Sequence, residues 1–100
     1  EDYSPRGING PLEELLFPIT HGALFFPGMD VLPTHAVYGT GKLSNASVAK
    51  ELAAWRLRLE NLFNAPPIPF RRQNGGEYQQ NILADHIAMG KEGLTIHIDH

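Results

Sequence analysis

Residues 31–38, VLPTHAVY, are the segment of this chain with the clearest β-strand pattern. The segment is short, rich in residues that favour strands, and bounded by turn-forming residues. Pro33 cannot donate a hydrogen bond to a neighbouring strand, so we predict an edge strand or a strand that begins near the proline. A sheet cannot consist of one strand, and even a two-stranded ribbon is marginally stable. The pattern therefore predicts an α/β fold, with helices on both faces of a sheet whose other strands come from elsewhere.

One helix is predicted before this strand and one after it. The first covers residues 11–26, where apolar residues recur every three or four positions. Pro18 lacks the N–H that would bond to the Glu14 carbonyl, so this helix is predicted to be kinked. The second has Ser44 as its predicted N-cap. It carries an apolar stripe that is predicted to pack in the core: Val48, Leu52, Trp55, Leu59 and Leu62.

The last third of the chain gives weaker signals. The run APPIP after Asn64 stops the second helix, and residues 71–78 are polar and contain glycine, which is typical of a loop. Within that loop the pair Arg71 and Arg72 is predicted to be solvated. Residues 81–89 are predicted to form a short helix, and residues 93–98 a short terminal strand or an extended arm.

Charge and composition exclude several classes of function. Eight lysines and arginines against eleven acidic residues give a net charge of -3, with both signs interspersed, so nucleic acid is not an expected partner. No apolar run is long enough to span a bilayer, and the start does not resemble a signal peptide. Without cysteine there is no disulfide framework, thiolate zinc site or cysteine nucleophile. We expect a cytoplasmic protein.

The most specific pattern begins at Tyr3. It reads Tyr-Ser-Pro-x-Gly-x-Asn-Gly-x-Leu-Glu-x-Leu-Leu-x-Pro-Ile-x-His-Gly and continues with Phe-Phe-x-Gly-x-Asp-Val-Leu-Pro. This pattern resembles the C-terminal half of the NAD(P)H:quinone oxidoreductase family, the flavodoxin-like group that includes DT-diaphorase. The resemblance covers residues 3–69, about two thirds of the chain, and the tail matches loosely through Gly93 and Leu94.

The resemblance implies a flavodoxin-like three-layer sandwich. Residues 31–38 would be the last, edge strand of a five-stranded parallel sheet. The other strands and the main flavin phosphate loop would lie in a missing N-terminal half of the same polypeptide. Residues 1–100 would then be the C-terminal portion of a single flavodoxin-like domain, with residues 65–100 as a tail or arm.

The resemblance also implies an activity. In the family, NAD(P)H reduces a bound flavin, and a quinone then takes the hydride from the same face of the ring. The implied protein is a homodimer that binds FAD, with FMN as the alternative. Two other functions stay open: an ancillary regulatory flavoprotein of a potassium-efflux system, and an inactive fragment of the enzyme.

The loop that opens the chain carries the implied catalytic residues. Reduced flavin develops negative charge around N1 and O2, so hydrogen-bond donors fixed at that edge would lower the barrier. Tyr3 matches the active-site tyrosine of the family. Asn9 stands where some members carry histidine, and an amide there can donate a hydrogen bond but cannot store a proton. Gly7 and Gly10 would let the backbone turn tightly beside a flat ring.

Three further positions are implied to contact ligands. Phe26 matches a phenylalanine that reaches into the quinone site of the other subunit, whereas Phe25 is expected to pack in the core. Thr40 and Gly41 follow the predicted edge strand, where open α/β sheets bind ligands. The matching family loop touches the adenosine part of the flavin, but Val48 stands here in place of an expected arginine.

The histidines do not predict a metal site. His97 and His100 lie at the end of the chain and His86 lies upstream, whereas zinc needs three or four ligands that converge in space. His21 and His35 are interpreted as structural histidines with satisfied hydrogen bonds.

Overall fold

The structure is a computed structural model that describes residues 2–100. It divides into two compact units. The first combines the residues up to Val31 with Ile68–His100, and the second is Leu32–Pro67. Each unit is described by itself below.

The kinked helix that the sequence predicts is confirmed in the first unit. Helix α1 spans Leu12–Leu15, and a π-helix follows over Pro18–Phe25. The two are joined at Leu16, whose carbonyl accepts hydrogen bonds from the Ile19 and Thr20 amides, both at 2.9 Å. Pro18 begins the π-helix, where its missing N–H needs no partner. The wider turn is visible where the Phe26 amide donates to the His21 carbonyl, five residues back, at 2.8 Å.

The tail of the first unit folds differently from the prediction. Tyr78–Gln79 (β1) and Ile82–Leu83 (β2) form an antiparallel hairpin. Residues 85–90 are turns, so the helix predicted over residues 81–89 is wrong. Left-handed backbone at Asn81 and Ala88 explains the error, because φ values of 69° and 52° cannot continue a helix. The end of the hairpin and a series of turns therefore occupy the residues where the sequence suggested a helix.

The end of the chain is neither a terminal strand nor an extended arm. Leu94–His97 forms a 3₁₀ helix, which begins after Gly93 with φ 91°. Ile98 alone pairs with Phe70, in an isolated antiparallel bridge. Two backbone bonds flank this bridge, from the Arg71 amide to the His97 carbonyl at 2.9 Å and from the Asp99 amide to the Pro69 carbonyl at 2.7 Å. These contacts fix the last residues against residues 69–71.

The core of the first unit joins distant parts of the sequence. Val31, Phe70 and Ile98 are buried together, and partly buried residues pack around them: Phe17, Leu24, Phe25 and Ile68. The Ile68 amide also donates to the Val31 carbonyl at 2.7 Å. Apolar burial stabilises such a cluster by about 1.5–3 kcal/mol per fully buried large side chain. The tail therefore contributes Ile68, Phe70 and Ile98 to the core.

The second unit is built around one long helix. Helix α2 spans Asn45–Glu60, and the predicted N-cap is confirmed because the Ser44 side chain accepts a hydrogen bond from the Ser47 amide at 3.2 Å. Short 3₁₀ turns lie at Thr40–Lys42 and Leu62–Asn64. The strand predicted over residues 31–38 does not form, and β1 with β2 is the sheet found among residues 2–100. The predicted edge strand has no neighbouring strand to pair with in this part of the protein, so no parallel sheet is present there.

The apolar stripe of α2 has the predicted spacing but is not buried in this chain. Leu52 is 63% exposed and Trp55 42%, so the prediction that Trp55 lies in a core is wrong for the described residues. The Trp55 ring lies 5.1 Å from the His35 ring, and Arg58 donates a hydrogen bond to the Pro33 carbonyl. Helical periodicity indicates which face favours burial, and burial additionally requires a surface that covers the face.

Candidate functional site

The loop over residues 2–10 is held by hydrogen bonds within its own backbone. The Gly7 amide donates to the Ser4 carbonyl at 3.0 Å, and the Asn9 amide donates to the Asp2 carbonyl at 2.9 Å. The Gly10 amide donates to the Gly7 carbonyl at 3.0 Å, and Gly10 has φ 73°, a conformation that favours glycine. The Tyr3 carbonyl accepts from the Leu12 amide at 3.2 Å, which connects the loop to the start of α1. The loop is therefore a compact series of turns.

This geometry places three of the predicted site residues on one loop. The Tyr3 side chain is 40% exposed and Asn9 is exposed, so a phenol and an amide are accessible there. The Gly7 and Asn9 amide N–H groups donate to carbonyl groups inside the loop. A phenol and a primary amide fit the oxygen and nitrogen acceptors at the edge of a flavin ring.

Thr40 and Gly41 lie in the second unit, in the 3₁₀ turn Thr40–Lys42. Gly39 precedes the turn with φ 62°, and the Lys42 amide donates to the Gly39 carbonyl at 2.9 Å. Both Thr40 and Gly41 are exposed. Their predicted contact with a cofactor stays a prediction.

Phe25 and Phe26 have different surroundings. Phe25 packs against the core of the first unit, and its ring lies 5.0 Å from the Phe70 ring, which confirms the core interpretation. Phe26 is 65% exposed. It lines a pocket of about 230 Å³, so an accessible aromatic ring is present at the residue that the resemblance assigns to substrate binding.

This pocket, which we call the aromatic–histidine pocket, was not predicted from the sequence. Its lining includes Phe17, His21, Phe26, Tyr78 and His97. His21 and Phe17 are stacked with ring centroids 4.5 Å apart. The π-helix supplies His21 and Phe26 comes directly after it, whereas Tyr78 and His97 come from the tail.

Tyr78 and His97 form a hydrogen-bonded pair in the wall of the pocket. The phenol oxygen lies 2.8 Å from Nδ1 of His97, and the two rings are nearly parallel with an interplanar angle of 7°. Burial lowers the pKa of His97 below 6.5, and the positive charge of Arg71 lowers it further. Burial also raises the pKa of the Tyr78 phenol above 10.0, while Arg71 opposes and Glu77 reinforces that shift. A protonated phenol beside a neutral imidazole is the state that these shifts favour at neutral pH.

The histidine predictions are partly wrong. The Nε2 atoms of His21 and His35 are buried and have no hydrogen-bond partner among residues 2–100, so neither histidine is satisfied. Burial lowers the pKa of His21, and nearby His97 adds to the effect. The helical pattern placed His21 on a face of the helix but could not show which groups its ring nitrogens meet. In residues 2–100 no group of three or more histidine and carboxylate side chains could hold a metal ion.

Arg71 is not the solvated residue that the sequence suggested. Its side chain is only 12% exposed. Nε donates to the Ile96 carbonyl at 2.8 Å, and Nη1 forms an ion pair with Glu77 at 2.8 Å and lies 3.7 Å from Asp99. Arg71 therefore connects the hairpin to the 3₁₀ helix that carries His97. A guanidinium group can make several such bonds at once, but the sequence around Arg71 gave no signal of these partners.

Comparison with known proteins identifies the class. No family model matches the chain. The structure matches a crystal structure of a proposed quinone reductase from Klebsiella pneumoniae with a TM-score of 0.94 and 48% sequence identity, over 99% of this chain and 39% of that one. This fold is therefore that of a segment of the quinone reductases, an α/β class of protein.

Sequence relatives give the particular family. The chain is 44% identical over 100 residues to a ribosyldihydronicotinamide dehydrogenase-like protein of Penicillium crustosum, covering 97% of this chain and 36% of the relative. It is 38% identical over 68 residues to NAD(P)H dehydrogenase [quinone] 1 of Cavia porcellus, covering 68% of this chain and 25% of that protein. The resemblance to the NAD(P)H:quinone oxidoreductase family is thereby confirmed. The chain spans well under half the length of the relatives it matches.

Proposed function

We propose that the protein represented by this chain is an NAD(P)H dehydrogenase (quinone), which transfers two electrons as a hydride from NAD(P)H through a bound flavin to a quinone. The observation that carries the proposal is the similarity over nearly the whole chain to relatives that are named for this reaction. The regulatory flavoprotein and the inactive fragment are not favoured by those names.

The loop over residues 2–10 supplies the donors that this chemistry needs. Tyr3 would donate its phenol hydrogen, and Asn9 its amide hydrogen, to the edge of the flavin ring where negative charge develops. Fixed donors stabilise that charge without reorganising during the reaction, and the four backbone bonds around the loop support such fixation. Gly7 would permit the close approach of the ring, because it carries no side chain.

FAD is the proposed cofactor, with FMN as the alternative. The flavin, when bound, supplies the hydride-carrying chemistry that no amino-acid side chain provides. Thr40 and Gly41, both exposed in a short turn, are proposed to contact the adenosine part of the cofactor.

The remaining parts of the site are proposed to involve a second subunit and the preceding half of the domain. Phe26 is proposed to stack on the quinone bound by a second subunit of a homodimer, and its large exposed fraction leaves its ring available for this contact. The parallel sheet and the flavin phosphate loop are proposed to belong to a preceding half of the flavodoxin-like domain, with residues 65–100 as its tail. Within residues 2–100, no helix is both long and apolar enough to cross a membrane. A cytoplasmic location stays a prediction.

The experiment is a comparison of hydride transfer in Tyr3→Phe and the unchanged full-length protein. Removing one hydrogen-bond donor from the charge-stabilising pair is expected to slow flavin reduction by NAD(P)H by up to about 10²-fold. Stopped-flow absorbance measures this rate, and the flavin spectrum after purification shows whether the cofactor is still bound.

Tyr38→Phe is the matched control, because it removes the same hydroxyl group from the second unit. We expect its rate to equal that of the unchanged protein. An unchanged rate in Tyr3→Phe would show that Tyr3 has no catalytic role. Full-length protein that binds neither FAD nor FMN would contradict the proposed function itself.

A further inference from the structure

The aromatic–histidine pocket combines apolar ring faces with one polar pair. Phe17 and Phe26 present apolar faces, and the Tyr78–His97 pair presents a hydroxyl group and an imidazole. Ligand sites are typically lined by apolar and aromatic side chains with a few polar groups that fix orientation. The volume of about 230 Å³ is below the range of drug-sized sites, which begins at roughly 300 Å³, so the pocket suits a small ring system.

The hydrogen-bonding chemistry of the Tyr78–His97 pair determines which polar groups of a ligand it can bind. In a neutral imidazole one nitrogen donates and the other accepts. When Nδ1 of His97 carries the hydrogen, it donates to the phenol oxygen, and the Tyr78 O–H is left to donate to a ligand carbonyl. When Nε2 carries the hydrogen, Tyr78 donates to Nδ1, and the phenol oxygen can accept from a ligand hydroxyl.

We propose that Tyr78 and His97 determine the specificity of this pocket for flat aromatic rings that bear an oxygen atom, binding either a carbonyl or a hydroxyl by exchanging the tautomer of His97. A quinone carries carbonyl groups, and its two-electron reduced form carries hydroxyl groups at the same positions. One pair of side chains therefore accommodates both forms of the same ring. The choice of quinones as ligands rests on the proposed function.

The Tyr78–His97 pair differs from Asn9 of the loop in its chemistry and in its position. Asn9 can donate through its amide but has no group that titrates near neutral pH. The Tyr78–His97 pair lies instead beside Phe26, the residue that is proposed to contact the substrate. His21, whose Nε2 has no partner among residues 2–100, lines the same pocket and packs 6.1 Å from the His97 ring between centroids.

The test measures binding in the absence of NAD(P)H, so that no ligand is reduced. Calorimetric titration of the purified protein with 1,4-naphthoquinone, 1-naphthol and naphthalene separates carbonyl, hydroxyl and purely apolar rings. Tyr78→Phe is expected to weaken the first two ligands by about 5–10-fold, the effect of one hydrogen bond, and to leave naphthalene unchanged. Tyr38→Phe, in the other unit, is expected to bind all three as the unchanged protein does. Residues 1–100 contain no cysteine, so no thiol in this part of the protein can add to the quinone.

A second measurement needs no variant. Long-range ¹H–¹⁵N NMR correlations report the tautomer of each histidine ring, and we expect His97 to shift toward the Nδ1–H form with naphthoquinone and toward the Nε2–H form with naphthol. Equal binding by Tyr78→Phe, or an unchanged tautomer with both ligands bound, would overturn the proposal. Protein that reduces quinones but binds no naphthoquinone in this pocket would refute this inference alone. Protein that binds the ring but transfers no hydride would refute the proposed function alone.

Discussion

The two units of the chain differ in what surrounds their apolar side chains. In the first unit, Val31, Phe70 and Ile98 come from three separate segments and are buried together. In the second unit, α2 has the most regular apolar pattern of the sequence, yet Leu52 on that face is largely exposed. The contrast shows that a local pattern determines where a helix forms, whereas burial depends on residues that are distant in sequence.

The largest expected effect tests this contrast directly. Phe70→Ala removes a buried ring and leaves a cavity, so it is expected to lower the free energy of unfolding by about 3–5 kcal/mol. Leu52→Ala removes an exposed side chain and is expected to change it by no more than about 0.5 kcal/mol. Urea unfolding of the 100-residue chain measures both values.

Equal losses for the two variants would break the comparison, because α2 would then be as well packed as the first core. Measuring the unfolding of the same two variants in the full-length protein sharpens the comparison between the two units. If the proposed sheet covers the apolar face of α2, the loss for Leu52→Ala rises to about 2–5 kcal/mol there, while the loss for Phe70→Ala stays the same.

Local elements of the fold could be predicted from the sequence. The N-cap at Ser44, the presence of α2 and the kink near Pro18 each depend on residues within one or two helical turns, although α2 ends at Glu60, before the predicted stop after Asn64. The hairpin β1–β2 was missed although it has a signal: Gln80 and Asn81 form a two-residue loop with φ of 51° and 69°, and asparagine favours such turns.

The candidate site likewise has a part that the sequence could predict and a part that it could not. Tyr3, Gly7 and Asn9 are predicted from a motif of fixed spacing and lie on one loop, and their roles stay predictions. The aromatic–histidine pocket was missed, because Tyr78 and His97 are 19 residues apart and meet only after the tail has folded. Residues that act together across such a separation leave no periodic signal in a single sequence.

Arg71 gives the next prediction. Arg71→Gln is expected to lower the free energy of unfolding by about 1.5–3 kcal/mol, because it removes charge-assisted hydrogen bonds from a largely buried position. The adjacent Arg72 is exposed, so Arg72→Gln is the matched control and is expected to change stability by less than about 0.5 kcal/mol. Urea unfolding compares the two, and equal effects would show that the Arg71 ion pair contributes nothing specific to the first unit.

The smallest expected effect is a dependence of stability on pH that originates in the first unit. Burial lowers the pKa of both His21 and His97 below 6.5, so protonation favours the unfolded chain, which binds more protons. Their contribution to stability is therefore fully present above pH 6.5 and is lost as the pH falls below that value. His21 and Tyr78 contact the His97 ring and Arg71 acts on it through its charge, and none of these three groups carries a negative charge at neutral pH.

An NMR titration of the histidine ring protons measures this shift. We expect the midpoint for His97 to lie below 6.5 and to move upward in Arg71→Gln, because one of the two causes of the shift is then removed. A midpoint at or above 6.5 would mean that the imidazole is charged at mildly acidic pH, and the neutral pair proposed to recognise ring oxygens would then exist only in more alkaline solution. The titration therefore tests both the electrostatics of the first unit and the protonation state on which the tautomer exchange at Tyr78 and His97 depends.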